Sequence, residues 1–111
     1  MNWITLNDLT QFTDLILRSK AEPDFVFGVF KHSTRCSISA AALNRMEREW
    51  ETHHPGVDVL YLDLLSYRDI SNSIAEISKI NHQSPQLLIF KNGICISETT
   101  HFDIRPSQIH W

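Results

Sequence analysis

The chain has 111 residues, 42% of them hydrophobic, with three Trp, six Phe and two Tyr. That suffices for one domain, taken as residues 1–111, whose apolar core needs no disulfide or metal staple. Ten basic residues against thirteen acidic ones give a net charge of -3. No dominant basic footprint exists, so neither nucleic acid nor a membrane surface is an expected partner. Two Cys, at positions 36 and 95, are too few for a disulfide scaffold or a four-thiolate metal site. No stretch approaches the roughly 20 apolar residues of a membrane span. Asp8, Asp14, Arg18 and Lys20 interrupt any apolar run that a secretory leader would need. The expected setting is the cytoplasm, where thiols stay reduced.

Thr5 to Lys20 reads as an amphipathic helix: Thr5-Leu-Asn-Asp8 offers a capping signal, and Leu9, Phe12 and Ile16 recur at helical spacing. Glu22-Pro23 breaks it. Asp24 to Lys31 is apolar without alternation, as in a central strand covered on both faces. Ser37 to Glu51 is again helical, with Ala41, Ala42, Met46 and Trp50 on the apolar side. His53-His54-Pro55-Gly56 ends it and reads as a solvated terminus. Val57 to Leu62 is a second strand; a helix within the roughly 25 residues between two strands makes a crossover, hence parallel pairing. Tyr67 to Ile80 is a third helix with Ile70, Ile74 and Ile77 along one side. Asn92-Gly93 between Gln86–Lys91 and Ile94–Thr99 is a strong hairpin signal, so the last two strands are antiparallel neighbours. A closing helix of barely two turns starts near Pro106. The order describes an α/β domain with a small mixed four-stranded sheet and helices on both faces. That is the thioredoxin-like arrangement, although other α/β domains share the order.

Cys36 is the informative residue. It falls at the carboxyl end of the first central strand, in the turn before a helix, where free N–H groups favour an anion. A thiol in that position is available as thiolate at neutral pH, with Lys31 and Arg35 near in sequence to add positive charge. Cys36-Ser-Ile-Ser39 is a C-x-x-S pattern, with Ser in the place of the second Cys of a C-x-x-C redox motif. The competing reading is a small apolar packing residue, as most free Cys are. Pro85 opens a strand beside the one that ends near Cys36; a cis bond there would expose the Ser84 backbone for strand-like pairing with a ligand. The plainer reading of Pro85 is a loop stop.

Other constellations carry less. Cys95 comes back only two residues from the hairpin tip, roughly 20 Å from Pro85, beyond the reach of a disulfide. It reads as a buried strand residue. His32 and Cys36 straddle a loop and lack two further ligands for zinc. His101 and Asp103 follow the last strand at the same end of the sheet as Cys36, either as binding residues or as a surface loop with Asp103 capping a helix.

Four segments together carry a resemblance: Phe30-Lys-His-Ser-Thr-Arg-Cys-Ser-Ile-Ser39, Tyr67-Arg-Asp-Ile-Ser-Asn-Ser-Ile-Ala-Glu76, His82-Gln-Ser-Pro-Gln86 and His101-Phe-Asp-Ile104. From about Trp3 to Ile104 the chain resembles the monothiol bacilliredoxin-like family, small thioredoxin-like proteins linked to bacillithiol. The resemblance implies a redox-active Cys36, a cis-proline at Pro85 and a thioredoxin-like fold. Ser37 departs from the Pro that the family usually places after its active Cys. Ser keeps an N–H that Pro lacks, so stabilisation of a thiolate is expected to survive. The implied activity is monothiol thiol–disulfide exchange. Cys36 takes a low-molecular-weight thiol, bacillithiol by resemblance, from S-thiolated client proteins, with no bound cofactor and no metal. Thr34, Arg35, Ser84, Pro85, His101 and Asp103 are the expected ligand contacts. Two alternatives stay open. One is a non-catalytic module that binds a partner in the groove around Pro85. The other is an iron–sulfur cluster held by Cys36 and small thiols between two subunits.

Overall fold

In the computed structural model, which describes residues 1–111, the most apolar run of the chain becomes the central strand, β2 (Val26–His32). The sheet has five strands in the order β1-β3-β2-β4-β5, with β1 at Trp3–Thr5, β3 at Val59–Asp63, β4 at Gln86–Lys91 and β5 at Ile94–Thr100. β2 runs parallel to β3 through the crossover helix α2 (Ser37–His53) and antiparallel to β4. Between them lie α1 (Leu9–Ala21) and α3 (Arg68–Ser78). Asn92 and Gly93, at φ 54° and 78°, make the two-residue turn from β4 to β5 that Asn-Gly favours.

Alternation along the strands divides the apolar residues between two cores. Phe27, Val29, Leu60, Leu62, Leu88 and Phe90 pack under Phe12 and Ile16 of α1 and Ile74 of α3. On the other face Phe30, Val59, Leu87 and Ile89 meet Ala42, Met46 and Trp50 of α2, closed off by Ile104 and Ile109. Both faces of β2 are thus covered, as its unbroken hydrophobicity requires.

Several expectations need correction. The sheet has five strands rather than four, because Trp3–Thr5 pairs in parallel with Val59–Tyr61. Three residues are too short to show a period, and Thr5 belongs to this strand rather than to the first helix. That helix starts at Leu9, where Asp8 caps it: Asp8 accepts the Thr10 N–H at 2.9 Å, and Gln11 accepts the Asp8 N–H at 3.0 Å. Ala41 faces solvent while Ser39 takes the buried place, and Ile77 is 46% exposed. The closing helix is two single 3-10 turns, His101–Asp103 and Pro106–Gln108. His54 is no solvated terminus: its ring stacks on Trp111 and its Nε2 lies 2.9 Å from the Pro106 carbonyl oxygen. No helix is long and apolar enough to cross a membrane.

Candidate active site

β2 ends at His32, the turn Ser33–Cys36 follows, and α2 begins at Ser37. Cys36 is the N-cap, extended at φ -110° and ψ 122°, with its carbonyl oxygen accepting the Ala40 N–H at 3.0 Å. Its own N–H donates to the Ser33 carbonyl oxygen at 3.2 Å, which closes the turn. The half-buried thiol caps nothing, so it stands at the positive end of a 17-residue helix with the first-turn N–H groups unclaimed by it. Thr34 and Arg35 are exposed on the turn. The one salt bridge in the chain joins Arg18 to Glu22, which leaves Arg35 free of any carboxylate.

The last two residues of β2 point to opposite faces of the sheet. Lys31 is fully buried on the α3 side, its Nζ donating to the Ser71 carbonyl oxygen at 3.1 Å and lying 3.5 Å from His82 Nδ1. Burial pushes its ammonium down to about 8, only partly opposed by the charge of Glu98. His32 lies on the α2 side, its Nδ1 at 2.6 Å from the hydroxyl of the fully buried Ser39. Burial lowers its pKa, and the nearby Asp63 and the Ser39 contact raise it in part.

The Ser84–Pro85 peptide bond is cis. Lys31 opposite Gln86 is the last pair of the β2–β4 register, so Pro85 enters the sheet beside the base of the Cys36 turn. Its carbonyl oxygen accepts the His101 N–H at 3.1 Å. His101 holds a left-handed φ of 52°, uncommon outside Gly, with its carbonyl oxygen accepting from Arg45 Nη2 at 3.1 Å. Arg45 Nε donates to the Ile104 carbonyl oxygen at 2.9 Å. Asp103 is exposed and caps no helix, since Arg105 precedes the Pro106 turn; the capping role considered for it is absent.

All the expected site residues therefore sit at one end of the sheet, on the turns that follow β2 and β5 and the loop that precedes β4. A backbone hydrogen bond joins Pro85 to His101, and Gln86 faces Thr100 in the register. Cys95 pairs with Phe90, about 17 Å along β4 from Pro85 by strand rise. Both thiols are free. No three His, Cys, Asp or Glu side chains gather into a metal-binding group. Beside the Pro85 loop lies an open hollow of about 540 Å³ lined by Lys79, Ile80, Asn81, Gln83, Glu98, Thr100 and His101.

Sequence reasoning missed Arg45, His82 and the His32–Ser39 pair, and it set Lys31 beside Cys36 as a positive charge, whereas Lys31 is buried on the α3 side with its Nζ on Ser71. A signal existed for two of them. Lys31 interrupts an otherwise apolar strand, and Arg45 sits three residues after Ala42 on the stripe that Met46 continues. A charge on a buried stripe calls for partners, and both found backbone carbonyls.

The family model for monothiol bacilliredoxin BrxC matches residues 4–109. The chain belongs to the monothiol bacilliredoxin family. Among solved structures, a protein described as an oxidoreductase with a thioredoxin fold is 31% identical, with a TM-score of 0.79 over 95% of this chain and 88% of that one. Thioredoxin NaTrxh from Nicotiana alata is 14% identical (TM-score 0.71, 93% and 84% covered), and oxidized thioredoxin O2 from Arabidopsis thaliana 17% (0.67, 93% and 85%). These last two share the fold alone. A bacilliredoxin-family chain on a thioredoxin fold is a thiol oxidoreductase.

Proposed function

We propose that this bacilliredoxin-family protein removes a low-molecular-weight thiol from protein mixed disulfides through Cys36 alone. Cys36 thiolate attacks the small-thiol sulfur of a client's mixed disulfide. The new bond is Cys36–S–S–R, the old disulfide breaks, and the client sulfur leaves as thiolate and takes a proton. A second small thiolate then attacks the R sulfur on Cys36, releasing R–S–S–R and regenerating the Cys36 thiolate. Net, the free small thiolate is oxidised into R–S–S–R as the client sulfur is reduced to thiolate, so the thiol is a co-substrate and no resident cofactor is called for. Bacillithiol is the proposed thiol on the strength of family membership.

The observation that carries this reading is the place of Cys36: N-cap of a long helix, with its side chain uncommitted and Cys95 at the far end of the β4–β5 hairpin. The open backbone of Ser84 beside Pro85 would align the disulfide as an extra strand, while Thr34, Arg35, His101 and Asp103 would hold the polar parts of the small thiol. A cytoplasmic setting, where the small-thiol pool is kept reduced, is part of the same proposal.

Reduction of a small-thiol-modified client protein, followed with excess small thiol, tests it. Cys36→Ser should abolish turnover and Cys95→Ser should leave it nearly intact. Loss of turnover in Cys95→Ser would make the enzyme dithiol and overturn the monothiol reading.

A further inference from the structure

The fourth residue of Cys36-Ser37-Ile38-Ser39 has work of its own. Ser39 is fully buried in the first turn of α2, and its hydroxyl faces the strand rather than the helix. It accepts the Ser33 N–H at 3.1 Å and lies 2.6 Å from His32 Nδ1. A hydroxyl has one hydrogen and two lone pairs, so it can satisfy Ser33 and pair with the imidazole at once.

His32 is itself fixed. It is 4% exposed, stacked on the Phe30 ring at 5.8 Å and tilted against the Tyr61 ring at 5.6 Å. Its carbonyl oxygen accepts the Leu64 N–H at 2.9 Å. Ser33, held by its N–H, uses its carbonyl oxygen to take the Cys36 N–H. Contacts thus run from a rigid imidazole, through Ser39 and Ser33, to the backbone of Cys36.

We propose that His32 and Ser39 are positioning residues for Cys36: their hydrogen bond fixes the Ser33–Cys36 turn and so holds the thiol at the start of α2. The proposal rests on the reading of Cys36 as the attacking thiol. Neither residue touches the substrate. Removing the Ser39 hydroxyl leaves the Ser33 N–H and His32 Nδ1 without their partner in a buried place, and the turn relaxes to find others. A thiol displaced from the N-cap leaves the free N–H groups of the helix start.

The experiment measures the rate constant for alkylation of Cys36 by iodoacetamide at pH 7 in a Cys95→Ser background, together with the thermal midpoint. His32→Leu loses both the ring stacking and the Ser39 contact. His32→Asn also loses the stacking, yet its amide occupies the place of Nδ1 and can still meet Ser39. Ser39→Ala removes a single atom and is the mildest variant. Ser39→Ala and His32→Leu are expected to slow alkylation roughly tenfold, and His32→Asn to stay within about threefold of the native rate. Both His32 variants should melt earlier, so stability alone cannot produce that split. Asn as slow as Leu, or Ser39→Ala as fast as the native protein, overturns the positioning role. Should native Cys36 react no faster than a free cysteine peptide, the reading of Cys36 as attacking thiol falls, and this proposal with it.

Discussion

Arg45 and His101 tie the helix that starts at Cys36 to the segment beside Pro85: Arg45 Nη2 donates to the His101 carbonyl oxygen at 3.1 Å. Arg45 Nε holds the Ile104 carbonyl oxygen, and the His101 N–H bonds Pro85, so three parts of the candidate site form one unit. The left-handed backbone of His101 persists because both its N–H and its carbonyl group are claimed.

Arg45→Met keeps an aliphatic stem on α2 but removes both donors. The part-buried carbonyls of His101 and Ile104 lose their partner, at a cost of about 1–3 kcal/mol in stability. The KM for a thiolated client should rise roughly threefold to tenfold as His101 and Asp103 lose their fixed position, while alkylation of Cys36 keeps its native rate. An equal fall in alkylation rate would show that Arg45 acts on the helix rather than on the 101–104 segment.

The two thiols should label in sequence. Cys95 lies half-buried in β5, its Sγ donating to the Ser97 carbonyl oxygen at 3.4 Å, and burial pushes its pKa up. Limiting iodoacetamide at pH 7 followed by peptide mapping should find Cys36 modified and Cys95 untouched until denaturant is added. Equal modification of both in the folded protein contradicts this.

Mild acid should weaken the fold. Burial is the largest cause of a lowered pKa at His32, His54 and His82, and the Lys31 ammonium adds to it at His82. A histidine with its folded pKa below 6.5 binds its proton first in the unfolded chain. Stability therefore declines as pH falls below about 6.5 toward the folded values. The urea midpoint should be lower at pH 5 than at pH 7, with a smaller drop in His82→Gln. Equal midpoints at the two pH values would mean that these rings are not held neutral by the fold.

Lys31 works at the other end of the scale. Its folded pKa of about 8 lies below the ordinary 10.5, so the charged form penalises the native state at neutral pH. The penalty, about 3 kcal/mol, is relieved as pH rises from about 8 toward 10.5, because the unfolded chain then holds the extra proton. Cys95 and Tyr61, both raised by burial, pull stability the opposite way over that range. The readout is therefore the difference between native protein and Lys31→Met, which cancels them. The variant should be the more stable at pH 7, by a margin that closes by pH 10; a constant margin contradicts the assignment.

What the sequence made legible was local. The apolar run of β2, the Asn92-Gly93 turn and the periodicity of α2 each state their structure within a few residues, and together they place Cys36 at a strand-to-helix turn. β1 was hidden because three residues gain their meaning from pairing with Val59–Tyr61, far along the chain. Asp8 is the cap itself rather than the end of the Thr5–Asp8 signal, three residues further along the chain. The closing segment forms two 3-10 turns whose His101, Ile104 and Pro106 carbonyl oxygens are also held by Arg45 and His54. For the same reason the partners of the buried charges were invisible: Arg45 reaches residues 56 and 59 positions away, and Lys31 one 40 positions away. Such contacts leave no pattern in a single sequence beyond a charge on an apolar stripe.

The central claim is that Cys36 alone attacks and then carries the small thiol. Intact-mass and peptide-level mass spectrometry after the reduced protein meets one equivalent of a bacillithiol-modified client without free small thiol, quenched by acid, tests it most directly. The account predicts a gain equal to one small thiol, located on the peptide that contains Cys36, with Cys95 unmodified. A loss of two hydrogens with a Cys36–Cys95 crosslink, or an adduct on Cys95, would contradict it.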